Sequence, residues 1–161
     1  TATSVFYSTG VEARGGHHQR KLQMIKLANI HSEILNDAQR VAVTAKLFGV
    51  HFPLRLEPTI FAMADMLSPD YKGGLWEMAL LSNGGFAMYP RTDHQFAVSS
   101  MNGYEGSMSA TAFGICTNLF AYSHLSFGEG EFAQVCAEQY HLLRELMLEH
   151  AEARAILRAI D

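Results

Sequence analysis

The chain has 161 residues, of which 48% are hydrophobic and 17% charged, so its length fits one domain with a sizeable core. This composition excludes disorder across most of the chain. No apolar run reaches the roughly 18 residues that a membrane span needs. The first residues also lack the pattern of a secretory signal, and we therefore expect a cytosolic protein.

The formal net charge of −4 is unevenly distributed along the chain. Residues 1–30 hold four basic side chains and one acidic side chain, whereas residues 31–161 hold eight basic and fifteen acidic side chains. An acidic body without a basic patch does not favour wrapping of a nucleic-acid backbone. Fifteen carboxylates are also too sparse to imitate duplex DNA, which carries one charge per roughly 1.7 Å. We therefore expect no strong nucleic-acid binding.

The first 27 residues differ from the rest and are predicted to form an N-terminal extension or arm, followed by a single domain over residues 28–161. The arm is polar and glycine-rich and contains a His17–His18 pair. Such a pair could bind a metal, but no further ligand has suitable spacing. We predict no metal and no cofactor.

The domain is predicted to begin with a strand and two helices. Residues 28–35 are compatible with a strand, although their alternation is not clean. Asn36 or Asp37 offers an N-cap oxygen for a helix that runs to about Phe48, where a glycine follows. A second helix is predicted from residue 58 to about 67, because a proline suits its first turn.

The centre of the chain predicts a β-meander. Leu75–Leu81 and Phe86–Tyr89 are apolar runs joined by a turn that contains Asn83-Gly84. Asn-Gly between two such runs favours a type I′ turn, which needs positive φ at both central positions. His94–Ser100 is predicted to be a third strand, followed by the same turn chemistry.

The last third of the chain is predicted to be helical. Ser107 or Ser109 caps a run to about Ser126, and Gly128–Gly130 breaks it. A second run extends from about Glu131 to Ile160, with its apolar side chains mostly on one side at helical spacing.

Five polar side chains in this second run step by three and four residues and are predicted to share one face: Glu138, His141, Glu145, Glu149 and Glu152. Glu145 and Glu149 form a like-charge pair, and no Lys or Arg stands at helical spacing to neutralise them. Two interpretations stay open, an ordinary solvated face, with or without pairing to arginines elsewhere in the fold, and an acidic docking surface for a basic partner. The Glu138-x-x-His141 spacing also occurs in di-iron bundles, but that chemistry needs a second copy and two further glutamates.

The remaining reactive or aromatic residues predict no catalytic centre. Cys116 and Cys136 have no metal-ligand or disulfide-framework spacing and are predicted to be buried free thiols. Trp76 is interpreted as a core aromatic or, alternatively, as an exposed anchor for a protein partner. Neither a Gly-x-Ser-x-Gly motif nor a complete phosphate loop occurs.

An ordered series of motifs runs through the domain: Lys46–Gly49, Leu56–Pro58, Tyr71–Trp76, Leu81–Phe86, Gly106–Ala110, Tyr140–Arg144, Glu149–Glu152 and Ala159–Asp161. Over about residues 36–161 the chain resembles the ArdB/KlcA antirestriction proteins of plasmids and other mobile elements. It departs from them at Met78, Ala79 and Ala87, where the family usually carries aromatic side chains. The motif residues that we expect to be structural are Tyr71, Gly73, Gly74, Trp76, Ser82, Asn83, Gly84, Gly85 and Phe86.

The resemblance implies a single α+β domain with a small antiparallel sheet, a hairpin or meander, packed against several helices. It also implies a non-enzymatic protein that relieves type I restriction of incoming unmodified DNA without imitating DNA. The implied partner is a type I restriction-modification system, met directly or indirectly, and a homodimer is left open. No catalytic, metal or cofactor residue is implied.

Two other functions remain as alternatives. One is a small-ligand-binding or hydrolytic domain with a pocket beside the hairpin. The other is a DNA-binding accessory protein whose basic arm, with Arg14, Arg20 and Lys21, contacts phosphates. A convergent histidine–carboxylate pair in a deep pocket would favour the first, and binding that weakens steeply with salt would favour the second.

Overall fold

The computed structural model describes residues 29–161. Its strands are β1 (Ser32–Ile34), β2 (Trp76–Leu81), β3 (Phe86–Pro90), β4 (Phe96–Ser99) and β5 (Glu105–Met108). Its α-helices are α1 (Asp37–Phe48), α2 (Glu57–Leu67), α3 (Ala110–Ser126), α4 (Glu131–Glu149) and α5 (Ala153–Ile160). The predicted α+β class is confirmed. The predicted arm and its His17–His18 pair lie outside the described residues.

The caps of α1 form as the sequence predicts. The Asn36 side chain accepts a hydrogen bond from the Gln39 backbone N–H, and the Gln39 side chain accepts one from the Asn36 backbone N–H. Gly49 ends the helix with a φ of 57°, a conformation that glycine adopts at little cost. A π-helical turn at Phe52–Leu56 then leads into α2, where a proline occupies the first turn.

The hairpin between β2 and β3 forms with a different turn from the predicted one. The Gly84 N–H donates to the Leu81 carbonyl at 2.9 Å, and the Leu81 N–H donates to the Gly85 carbonyl at 2.8 Å. Only Gly84 has positive φ (91°), so this is a type I turn followed by a glycine bulge, and the predicted type I′ turn is wrong. The loop has three residues, 82–84, whereas a type I′ hairpin has two. Because Gly84 takes the positive φ, Asn83 does not need one.

The strands divide into two sheets instead of one continuous meander. The first sheet has the antiparallel order β1–β2–β3, and the second pairs β4 with β5. The turn between β4 and β5 repeats the chemistry of the first, with Gly103 at a φ of 89° donating to the Ser100 carbonyl. Strand β4 does not pair with β3, because side chains from two helices occupy the free edge of β3.

That edge is closed by three buried polar side chains. Asn118 on α3 accepts from the Met88 N–H at 3.0 Å and donates to the Met88 carbonyl at 2.7 Å, as a neighbouring strand would. Gln139 on α4 accepts from the Phe86 N–H at 2.8 Å, and the Tyr122 hydroxyl donates to the Phe86 carbonyl at 2.8 Å. The backbone groups of the edge are therefore satisfied without another strand.

Helix α3 forms the centre of the core. Twelve of its 17 residues are buried, which is typical of a helix that is apolar on all sides and packed on all sides. Phe113 on α3 stacks on Phe96 of β4 at 4.4 Å between ring centroids and thereby joins the second sheet to the core. The prediction of buried free thiols is confirmed for Cys116 and Cys136. Trp76 is only 4% exposed, so the core interpretation is confirmed and the exposed-anchor interpretation is wrong.

The predicted long C-terminal helix is interrupted. Helix α4 ends at Glu149 and α5 begins at Ala153, with His150 in an extended conformation between them. The His150 Nδ1 accepts from the Glu152 backbone N–H at 3.0 Å, which stabilises the bend. The break turns α5 back onto α3 and buries its apolar side chains, which a straight helix would leave in solvent.

None of the helices within residues 29–161 is long and apolar enough to cross a membrane.

Candidate functional site

The candidate site is the exposed face of α4, which we call the acidic surface and define by Glu138, His141, Glu145 and Glu149. All four residues are exposed. The opposite face of α4 carries the buried side chains Phe132, Cys136, Leu143 and Met147. Burial of this apolar stripe sets the rotation of the helix and directs the acidic surface to solvent.

The loop between β2 and β3 lies against the acidic surface. The Asn83 Nδ2 donates to the Leu142 carbonyl at 2.9 Å and to the Glu145 Oε2 at 3.0 Å. The Gln139 Nε2 donates to the Gly84 carbonyl at 3.2 Å. The hairpin motif thus attaches the sheet to α4 and fixes the position of one carboxylate of the surface.

The start of β1 lies at the other end of the acidic surface. The Ile30 backbone N–H donates to the Glu149 Oε2 at 3.2 Å. His31 and Ser82 exchange two further hydrogen bonds, from the His31 N–H to the Ser82 Oγ and from the Ser82 N–H to the His31 carbonyl. Glu145 and Glu149 are therefore held by the protein while they remain exposed.

No cation of the described residues neutralises this surface. The ion pairs within residues 29–161 are those of Glu77 with Arg40 at 3.0 Å and with Arg91 at 2.5 Å. No arginine of residues 29–161 pairs with this surface, so the interpretations of an ordinary solvated face and of a docking surface both stay open. The acidic surface thus carries three carboxylates that form no ion pair within residues 29–161.

The motif Tyr71–Trp76 lies at the start of β2, at the opposite end of this strand from the hairpin loop. The Trp76 Nε1 donates to the Tyr71 hydroxyl at 3.2 Å, and the two rings pack edge to face at 5.7 Å. Gly73 and Gly74 have φ values of 82° and 105°, which other residues rarely adopt. The structure therefore does not bring the two motifs together in one site.

One contact between a histidine and a hydroxyl could suggest catalysis. The His150 Nε2 lies 3.2 Å from the Thr111 Oγ1. The Nδ1 of the same ring accepts a backbone N–H, so the neutral ring carries its proton on Nε2 and donates to Thr111. A general base needs an unprotonated nitrogen at that position, and this pair does not supply one.

Within residues 29–161, no three His, Cys, Asp or Glu side chains are arranged to hold a metal ion. The di-iron spacing of Glu138 and His141 thus acquires no further ligand from the described part of the fold.

Comparisons with known proteins connect this fold with antirestriction. A family model described as "Antirestriction protein" matches residues 69–161, which is more than half of the chain. The antirestriction protein KlcA of Escherichia coli is 40% identical over 130 residues, covering 78% of this chain and 89% of that protein. The chain belongs to the ArdB/KlcA family of antirestriction proteins.

Two further comparisons support this membership. The protein YafX of Escherichia coli strain K12 is 40% identical over 130 residues, covering 78% of this antirestriction protein and 84% of its own length. A solved structure of the KlcA and ArdB proteins matches with a TM-score of 0.76 at 33% identity, covering 82% of this chain and 95% of that one. Those proteins are described as showing antirestriction activity against type I DNA restriction systems in vivo but not in vitro.

Glu152 does not belong to the acidic surface of this antirestriction protein, contrary to the sequence-based prediction. Helix α4 ends three residues earlier, and the Glu152 carboxylate accepts hydrogen bonds from the Ser109 backbone N–H and hydroxyl. Ser109 is the N-cap of α3, so this carboxylate lies at the positive end of the central helix. Its position indicates a structural role.

Replacement of Glu152 by alanine should lower the free energy of unfolding by about 2 kcal/mol, because two hydrogen bonds to a carboxylate at a helix N-terminus are lost. Urea denaturation measures the change. The exposed Glu138 makes no hydrogen bond in the described structure, and we expect Glu138→Ala to change stability by less than about 0.5 kcal/mol. Equal losses in the two variants would contradict the assignment of Glu152.

Sequence reasoning missed two residues that join helices to the edge of β3, Gln139 on α4 and Asn118 on α3. Each is a buried amide among mostly apolar buried positions of its helix. Because buried polar side chains are almost always hydrogen-bonded, an amide at a buried position could have indicated a nearby segment with unpaired backbone groups. Only the fold shows that this segment is the edge of β3.

Proposed function

We propose that this antirestriction protein relieves type I restriction of incoming unmodified DNA by presenting a surface to a protein partner. The observation that carries the proposal is the acidic surface, whose Glu145 and Glu149 carboxylates are held by hydrogen bonds and whose carboxylates form no ion pair within residues 29–161. The in vivo but not in vitro activity described for KlcA and ArdB supports a partner that the cell supplies. We infer that this partner is a basic protein surface belonging to, or acting on, the restriction system.

The proposed mechanism is not enzymatic. Burial raises the pKa of Cys116 to about 12 and that of Cys136 to about 11, so both thiols stay protonated and are poor nucleophiles at neutral pH. His150 donates to Thr111 and does not accept its proton. Catalysis by a cysteine thiolate, or by Thr111 with His150 as its base, is therefore disfavoured.

The proposed mechanism is also not DNA mimicry. Glu138 and Glu149 are eleven residues apart, which corresponds to about 16 Å along a helix. Duplex DNA carries about ten phosphate charges over that length, whereas the acidic surface carries three carboxylates. A partner that binds this surface would recognise a few placed charges and not a continuous polyanion.

The alternative of a hydrolytic pocket beside the hairpin has little support. A cleft of about 440 Å³ is present there, with His31 and Glu33 in its lining. The Ser82 hydroxyl in the same cleft accepts from the backbone of His31 and not from its ring. Ser82 and His31 therefore do not form a nucleophile–base pair, and no ion pair or hydrogen bond of the described residues joins the His31 ring to the Glu33 carboxylate. The basic-arm alternative concerns residues outside the described part of the chain.

The proposal is tested by the plating efficiency of unmodified phage on a host with type I restriction, with and without the protein. We expect the wild type to raise the plating efficiency. The variant Glu138→Gln/Glu145→Gln/Glu149→Gln should reduce this relief by about tenfold or more, because three exposed charges together are worth roughly 1–3 kcal/mol to a charged partner. Glutamine keeps the acceptor oxygens for Asn83 and Ile30, so the fold should persist.

A matched control removes the same charge elsewhere. Asp93, Glu105 and Glu129 are exposed and make no hydrogen bond within the described structure. We expect the variant Asp93→Asn/Glu105→Gln/Glu129→Gln to retain relief. Equal relief by the two triple variants would contradict the role of the acidic surface, and no relief by the wild type would contradict the proposed function itself.

A further inference from the structure

A second cleft of about 440 Å³ lies between the loop that precedes β2 and the connection from β3 to β4. Its lining includes Lys72, Arg91 and His94. Residues 31–161 hold eight Lys and Arg residues against fifteen Asp and Glu, so two of these eight side chains and a histidine converge on one cleft. The cleft therefore has a locally positive lining in a domain whose net charge is negative, and this favours an anionic ligand.

The loop on one side of the cleft presents free backbone donors. Gly73 and Gly74, both with positive φ, line the cleft together with Leu75. The backbone N–H groups of these three residues donate to no atom of residues 29–161. Backbone N–H groups without a partner inside the protein can donate to the oxygens of a bound anion such as phosphate.

Arg91 on the other side is held in place with donors to spare. The Glu77 Oε1 accepts from the Arg91 Nε at 2.5 Å, and the Glu77 Oε2 accepts from the Arg40 Nη2 at 3.0 Å. Glu77 is only 17% exposed and is thus fixed between two arginines. The two Nη groups of Arg91 have no acceptor among the described residues, while its side chain is 52% exposed. A preorganised guanidinium with free N–H groups suits bidentate binding of phosphate.

The cleft lining contains one carboxylate against the two cationic side chains of Lys72 and Arg91. Asp70 also lines the cleft, and its Oδ2 accepts from the Ala97 backbone N–H at 2.7 Å. This hydrogen bond ties Asp70 to β4 and uses one of its oxygens. Lys72 and His94 make no side-chain hydrogen bond within residues 29–161 and are exposed.

We propose that this cleft binds the phosphate group of a small anionic ligand, with the Gly73–Leu75 amides on one side and Arg91 and Lys72 on the other. The proposal is independent of the acidic surface, which lies on α4. The shared chemistry is a phosphate group, which either inorganic phosphate or a nucleotide can supply.

The test is a titration of the ¹⁵N-labelled full chain with inorganic phosphate at constant ionic strength, followed by amide chemical shifts. We expect saturable shifts of the Gly73, Gly74 and Leu75 amides. Arg91→Gln and Lys72→Gln should each weaken the binding by about tenfold, since one charge-assisted hydrogen bond to phosphate is worth about that factor. Arg154→Gln removes an exposed arginine of α5 outside the cleft and should leave the binding unchanged.

A parallel titration with adenosine monophosphate distinguishes the two sources. Tighter binding than inorganic phosphate at the same amides would identify a nucleotide, and equal binding would identify the phosphate group alone. The proposal is overturned if the three amides do not shift, if chloride at equal ionic strength reproduces the shifts, or if Arg91→Gln and Lys72→Gln bind as the wild type does. Well-dispersed spectra of both variants show that their fold is intact.

Discussion

Replacing Asn118 by leucine should lower the free energy of unfolding by about 2–6 kcal/mol. The Met88 N–H and carbonyl both lose their partner, and each buried unsatisfied group costs about 1–3 kcal/mol. Leucine has the same branching and the same number of heavy side-chain atoms as asparagine, so the substitution leaves no cavity to which the loss could be attributed. Urea denaturation, followed by far-UV circular dichroism, measures the change.

The size of this effect follows from the place of Asn118 in the fold. It is fully buried and joins the central helix to the edge of the sheet, where no water can replace it. Natural domains are stable by about 5–15 kcal/mol, so the expected loss is a large share of the total. As a control, Gln134→Leu replaces an exposed amide of α4 and should change stability by about 0.5 kcal/mol or less. A loss below about 1 kcal/mol for Asn118→Leu would contradict the expected role.

The second large effect is expected at Gly114, one helical turn before Asn118. A Cβ at this position would lie 2.2 Å from the Tyr89 Cβ, 2.6 Å from the Tyr89 Cα and 2.8 Å from the Met88 carbonyl oxygen. Because two of these atoms belong to the backbone of β3, the helix and the strand would have to move apart. We expect Gly114→Ala to cost about 3 kcal/mol or more.

The sign of this change makes the test decisive. Alanine in the interior of a helix is ordinarily about 1 kcal/mol more favourable than glycine. A thermal melt should instead show a melting temperature lower by about 6 °C or more. Gly128, which follows the end of α3, has only one marginal contact for an added Cβ, the Leu125 carbonyl at 3.4 Å, so Gly128→Ala is the steric control and should change little. A stabilised Gly114→Ala variant would show that α3 and β3 are not packed as described.

The sequence predicted those features that depend on neighbouring residues. The caps at Asn36 and Ser109 follow from side chains that bond backbone N–H groups within a few residues. The end of α1 follows from Gly49 and the start of α2 from a proline in its first turn. The α+β class was predicted from the family resemblance. The motifs around Trp76 and Asn83 form the loop before β2 and the loop between β2 and β3. The fold was largely accessible because these choices are local and agree with one another.

The candidate site was predicted only in part. Glu138, His141, Glu145 and Glu149 share an exposed face, as helical spacing implies, and their role as an interaction surface stays a prediction. Glu152 was assigned to the same face because periodicity carries no information on where a helix bends. Its carboxylate instead accepts a hydrogen bond from the backbone N–H of Ser109, which lies 43 residues earlier in the chain.

The residues themselves determined where helices start, where glycines permit turns and where the charge of the chain lies, because each of these depends on a few adjacent groups. The tertiary structure alone decided that β3 ends its sheet against Asn118 and Gln139, that the last helix breaks to cover α3, and that Arg91 and Gly73 line one cleft. These pairings join groups far apart in the sequence, and their free energy comes from burial, which no local pattern encodes.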